Sequence, residues 1–133
     1  MNRVVITGMG TVNPIGNSIA EFEGSLFAGK CGIGPITRFD TEGFKVRLAA
    51  EVKDFDPLSC YDSLTEVRRS DLFTQYAMAA ACQAVEDSGI AGKVDPYRLG
   101  VYIGSGIGGM TTFINETLKL NDRGPSRVSP LFI

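Results

Sequence analysis

The sequence predicts a layered α/β fold, and three observations carry that prediction. Short apolar, β-branched runs alternate with helix-like segments along the 133 residues, in the order β-α-β-α-β-α. The strand runs lack polar alternation, as in strands covered on both faces. The longest helix-like segment is apolar nearly all round, so it needs cover on most sides.

The elements follow in order. Arg3 to Thr7 reads as a strand, and Gly8, Gly10, Asn13, Pro14 and Gly16 mark a turn-rich loop after it. Asn17 or Ser18 can cap a helix over Ile19 to Phe27, which Gly29 can end. Lys30 to Gly43 reads as an ordered loop, and Lys45 to Val52 as a second, shorter strand. A helix runs from about Ser63 or Thr65 to Ser88, with Gly89 as its stop. From Tyr76 to Val85 its one strongly polar side chain is Gln83. Leu99 to Ile103 reads as a buried strand, the glycine loop Gly104 to Gly109 follows, and a helix covers about Met110 to Leu120. The closing RGPSRVSPLFI finishes on Leu131, Phe132 and Ile133, an apolar run that needs a groove to dock into or more chain to cover it.

Composition excludes several chemistries. There is no histidine, hence no imidazole base, no Ser-His-Asp or Cys-His nucleophile pair and no histidine-containing zinc site. A net charge of −2 and a pI near 5.1, without a long basic run, argue against a nucleic-acid surface. No apolar stretch reaches the roughly 18 residues that span a bilayer, and MNRVVITGMG runs into a strand without a cleavage region. The expectation is a cytoplasmic protein with no nucleic-acid or membrane partner and no metal.

Three cysteines, Cys31, Cys60 and Cys82, form no CxxC pair and no disulfide framework. Cys82 reads as a small core residue, whereas Cys31 stands in a loop that can expose it. Asp54, Asp56, Glu66 and Asp71 read as surface or capping groups, because no basic catalytic partner accompanies them.

Two glycine loops invite a nucleotide reading. Gly104-x-Gly106-x-x-Gly109 has the dinucleotide spacing between a strand and a helix, where a pyrophosphate could rest on the helix N-terminus. The acid that should end a second strand about 20 residues on is missing; Asp122 follows a helix instead. In VVITGMGTVNPIG, Asn13 takes the place of the third glycine. No Lys-Ser or Lys-Thr follows either cluster, which excludes a P-loop. Close strand-to-helix packing explains both loops as well. A stand-alone dinucleotide-binding module using Gly104 to Gly109 therefore stays open, as does a truncated interaction subunit that pairs with a complementary half.

VVITGMGTVNPIGN, GKCGIGPITRFD, RRSDLFTQYAMAAACQAVEDSG, GVYIGSGIGGM and GPSRVSPLF, in this order over essentially the whole chain, resemble the opening of the β-ketoacyl-[acyl-carrier-protein] synthases. The nearest likeness is to the type II elongating enzymes of bacterial fatty-acid synthesis. The resemblance implies a thiolase-like layered αβαβα fold, usually homodimeric, of which residues 1–133 are a partial N-terminal domain. It implies an acyltransferase, without cofactor, that loads an acyl chain from acyl carrier protein onto a cysteine, decarboxylates the malonyl thioester and condenses the two. The family's Cys-His-His set lies downstream of the stretch matched here, so none of the three cysteines is assigned a catalytic role. This chain alone is expected to be inactive.

The resemblance carries roles onto five residues. Ile107 matches a position lining the acyl pocket, and Phe132 matches an aromatic near that pocket and the dimer contact. Arg68 and Arg69 match a basic pair at the start of the long helix that docks the acidic carrier protein, and Arg127 matches a second basic position. At a helix start these cations would oppose the helix dipole. The all-apolar helix would lie between the two sheets of the fold.

Overall fold

The structure is a computed structural model that describes residues 3–132. Helix α1 spans Ile19–Phe27 and starts where the sequence puts it: Ser18 is extended, and its hydroxyl accepts from the Glu21 N–H at 3.2 Å. The Glu21 carboxylate reaches back to the Asn17 N–H at 2.7 Å, so two free donors at the helix start are satisfied. Strand β1 (Ile33–Pro35) pairs antiparallel with β2 (Leu48–Ala50) in the register Ile33↔Ala50. β2 falls inside the expected strand, but β1 lies in the segment read as loop. Its sequence, Ile-Gly-Pro, offers little strand propensity, and pairing with β2 decides its conformation.

The expected long helix is two helices. α2 (Leu64–Arg69) begins at Ser63, whose hydroxyl accepts from the Glu66 N–H, and stops at Ser70, which is extended. α3 (Leu72–Ser88) then runs to Gly89, whose left-handed conformation makes it the stop the sequence predicts. Gln75 bridges the break: its side-chain amide donates to the carbonyls of Val67 and Ser70, both at 3.0 Å. α4 spans Met110–Arg123, three residues past its expected end.

The N-terminal segment lies along α3. A methyl group on Gly8 would strike the Ala84 carbonyl, and one on Gly10 would strike that of Ala80. Two residues of chain thus pass four residues of helix, about 6 Å of rise, which requires an extended path. Met9 N–H donates to Asp87 at 2.9 Å, Thr11 N–H to the Gln83 side-chain oxygen at 3.1 Å, and the Gln83 amide to the Asn17 carbonyl at 2.7 Å. Gln83, the polar residue of an otherwise apolar run, ties the loop to the helix.

Two expectations are corrected by this packing. The runs Arg3 to Thr7 and Leu99 to Ile103 form no ladder, and Val4 and Ile6 are 93% and 83% exposed. A strand exists only against a partner, and none is present among the described residues. α3 is covered along one side and open along the other, where Met78, Cys82 and Val85 are exposed. Cys82 is therefore a surface thiol here rather than a core residue. Ala79 is the one buried apolar residue among those described.

Candidate functional site

The glycine loop after residue 103 brings α3 and α4 together. Gly109 caps α4 with no side chain of its own, and the Asp71 carboxylate packs against its Cα. Thr112, in the first turn of α4, donates its hydroxyl to the same carboxylate. Asp71 makes no capping hydrogen bond to its own helix and serves the N-terminus of the other, where a negative charge is favoured by the helix dipole. That position is the one a pyrophosphate would need, and a carboxylate already holds it. Gly104 and Gly106 have no atom within 4 Å of an added Cβ, so neither glycine is required by contact.

A cavity of about 390 Å³ opens beside this junction. Ile107 and Phe132 both line it, together with Asp71, Gly109, Met110, Thr112 and Phe113. Two residues 25 positions apart in sequence thus meet at one site. The Phe132 and Phe113 rings lie 5.9 Å apart at 40°, a tilted contact that makes a continuous aromatic wall. The lining joins this aromatic and aliphatic wall to a hydrogen-bonded polar pair, Asp71 and Thr112. Asp71 escaped the sequence reading as a site residue: its position before a helix signals a cap, and nothing in the sequence places it against α4. Ile133, the last residue of the apolar terminus, lies outside the described residues.

The three arginines are exposed and sit on two elements, Arg68 and Arg69 on α2 and Arg127 in the 3-10 turn Pro125–Arg127. Lys119–Glu116 is the sole ion pair among the described residues, so all three guanidinium groups are free. The break at Ser70 corrects their context. Arg68 and Arg69 occupy the last turn of α2, not the first turn of a long helix, and there the dipole favours cations.

The whole chain, residues 1–133, matches the family model of the β-ketoacyl synthase N-terminal domain. The chain belongs to the β-ketoacyl synthase family. It is 48% identical over 132 residues to a 3-oxoacyl-[acyl-carrier-protein] synthase 2 of Coxiella burnetii, covering 98% of this chain and 32% of that protein. Its fold matches a β-ketoacyl synthase from Burkholderia phymatum with a TM-score of 0.77 at 30% identity, over 99% of this chain and 33% of the other. It also matches a type II polyketide ketosynthase in complex with its acyl-carrier protein, with a TM-score of 0.73 at 25% identity, over 96% of this chain and 34% of the other. This ketoacyl synthase chain thus spans about a third of the length of the relatives it matches, and its fold is part of the thiolase-like layered α/β architecture they share. No helix among the described residues is long and apolar enough to cross a membrane, and no cluster of potential metal ligands occurs among them.

The three cysteines differ in setting. Burial pushes the Cys60 thiol above its ordinary range, helped by the nearby Cys82, whereas Cys31 and Cys82 are exposed. The Cys31 sulfur reaches the Ile33 carbonyl and the Cys60 sulfur those of Pro57 and Gln75, and no basic side chain among the described residues is hydrogen-bonded to any of the three thiols.

Proposed function

We propose that these residues form the N-terminal third of a 3-oxoacyl-[acyl-carrier-protein] synthase of fatty-acid synthesis, and that within it they bind rather than make or break bonds. The observation that carries this is the 48% identity to a 3-oxoacyl-[acyl-carrier-protein] synthase 2 along 98% of the chain. In the reaction, the acyl group passes from its carrier thioester to an enzyme cysteine. Loss of carbon dioxide from the malonyl thioester leaves a carbanion, which attacks the acyl thioester and expels the cysteine thiolate. The cavity beside Ile107 and Phe132 would hold the acyl tail. Its volume of about 390 Å³ and its aromatic side suit a medium alkyl chain, each buried methylene contributing about 0.8 kcal/mol.

Arg68, Arg69 and Arg127 would meet the acidic carrier protein. Meeting an anionic partner would break no existing ion pair of these arginines, and such cations act mainly on encounter rate and specificity. The solved relative in complex with an acyl-carrier protein supports this assignment by analogy. A homodimer in the cytoplasm follows from the same family reading.

Two measurements test it. The purified 133-residue chain, free of host synthase, should show no malonyl decarboxylation and no condensation; either activity would overturn the assignment of the chemistry to other residues. Titration with NAD(H), NADP(H) and FAD should show no micromolar binding, and binding of any one would favour a nucleotide module built on Gly104 to Gly109.

A further inference from the structure

α4 leaves most of its apolar residues in the open and encloses a charge. Phe113, Ile114 and Leu118 are each at least half exposed, while Glu116 is 6% exposed, the one buried polar residue among those described. That inversion needs a compensating role, because a carboxylate leaves water only when its oxygens find donors. Both do. One oxygen takes the Lys119 ammonium, one turn along the helix, and the other accepts the Ser129 N–H at 2.7 Å.

Ser129 is the hub of the segment that follows. Its hydroxyl accepts from the Leu131 N–H at 3.2 Å and its carbonyl from the Phe132 N–H at 3.1 Å. The Glu116 carboxylate, the Ser129 turn and the Phe132 ring therefore form one connected chain, and that ring lines the cavity. We propose that Glu116 is a positioning residue for acyl-chain selection: its grip on the Ser129 turn holds Phe132 beside Phe113, and so sets how far the cavity wall can yield to a long chain. This rests on the reading of the cavity as the acyl site.

The test uses the full 133-residue chain and two probes, octanoyl- and tetradecanoyl-pantetheine, with amide hydrogen exchange measured in parallel. Glu116→Ala should speed exchange at Ser129 and Phe132 about tenfold or more, since it removes a charge-assisted hydrogen bond. It should also shrink the affinity ratio between the two probes at least threefold. Glu116→Gln, which keeps an acceptor of the same shape, should retain the slow exchange and hold the ratio within twofold of the parent. A merely structural role would lower both affinities together and leave their ratio alone, and that result overturns the proposal, as does a Gln variant that behaves like Ala. Should Glu116→Ala fail to fold, Phe132→Leu decides: it should change the probe ratio while Ser129 stays protected, and an unchanged ratio overturns the proposal. If the parent chain binds neither probe, the acyl reading of the cavity falls and the proposal with it; binding without dependence on Glu116 removes the proposal alone.

Discussion

Gly10→Ala should destabilise the fold and Gly104→Ala should hardly affect it, although both glycines stand in loops of similar appearance. At Gly10 an added methyl would strike the Ala80 carbonyl and come within 2.8 Å of Gln83 Cβ. The obstacle is helix backbone, which cannot rotate away, so the N-terminal segment must lift off α3. Overpacking of this kind costs about 1–3 kcal/mol. Lifting the segment also stretches the Thr11–Gln83 hydrogen bond, worth about 0.5–1.5 kcal/mol. Stiffening of the unfolded chain by alanine returns about 0.4–1 kcal/mol. The net loss is about 0.5–4 kcal/mol, centred on about 2, which at a urea slope of about 2 kcal/mol per molar lowers the unfolding midpoint by about 1 M. Gly104→Ala meets no atom within 4 Å, and its effect should stay within about 0.5 kcal/mol. Urea titration followed by far-UV circular dichroism measures both. Equal midpoints, or a larger loss at Gly104, would refute the argument that the first loop exists for close packing on α3 and the second does not.

Three further outcomes follow. Lys119, and then the Ser129 N–H, hold the Glu116 carboxyl below its ordinary value of 4.5, so its contribution to stability is complete above that pH and is lost as pH falls through the lower folded value; Glu116→Gln should flatten the fall of the melting temperature between about pH 5 and 3. Ellman's reagent near pH 8 should label Cys31 and Cys82 before Cys60, whose thiol is raised by burial; fast labelling of Cys60 would contradict its placement. Charge reversal at Arg68 and Arg69 should weaken acyl carrier protein binding about tenfold and flatten its salt dependence, as surface plasmon resonance at two ionic strengths would record; unchanged binding would remove α2 from the docking surface.

Local signals in the sequence were read well where the neighbours that enforce them are also local. Ser18 caps α1, Gly89 ends α3, and the break to α4 falls at Gly109, because each depends on hydrogen bonds spanning three or four residues. The division of α2 from α3 was legible in part: Ser63 and Glu66 form the spacing of a capping box for a helix that starts at Leu64, and Ser70-Asp71 repeats the signature of a helix start. The apolar residues Val67 and Phe73, which fall on one helical spacing with the run from Tyr76, concealed it. Strand β1 was not legible, since Ile-Gly-Pro becomes a strand only through its register with β2. The site divides the same way. Resemblance alone carried roles onto Ile107 and Phe132, and the fold puts both on one cavity. Asp71 and Glu116 act through partners 41 and 13 residues away, and no pattern along the chain announces such pairs.

The residues that contradict the buried-strand reading are the residues it named. Val4, Ile6, Val101 and Ile103 are all more than half exposed, and the bare side of α3 carries Met78 and Val85. The total accessible surface is 10822 Å², against roughly 6,800 Å² for a self-contained monomer of this mass. The excess of roughly 4,000 Å² lies on this one side alone, so it exceeds one partner's share of most obligate interfaces, whose areas count both partners. Scattered surface apolar residues would not produce it, because they occur on any protein. Here many of them are contiguous, on the two strand-like runs, on one side of α3 and along α4, elements that a layered fold would stack together. The pattern is that of an interior seen from one side. This ketoacyl synthase chain spans about a third of its relatives' length, and its exposed apolar runs are the surfaces on which further layers of such a fold would stack. The same reasoning explains why Glu116 and Asp71 matter now. Their hydrogen bonds are internal to these residues: Asp71 ties α3 to the first turn of α4, and Glu116 ties α4 to the Ser129 turn.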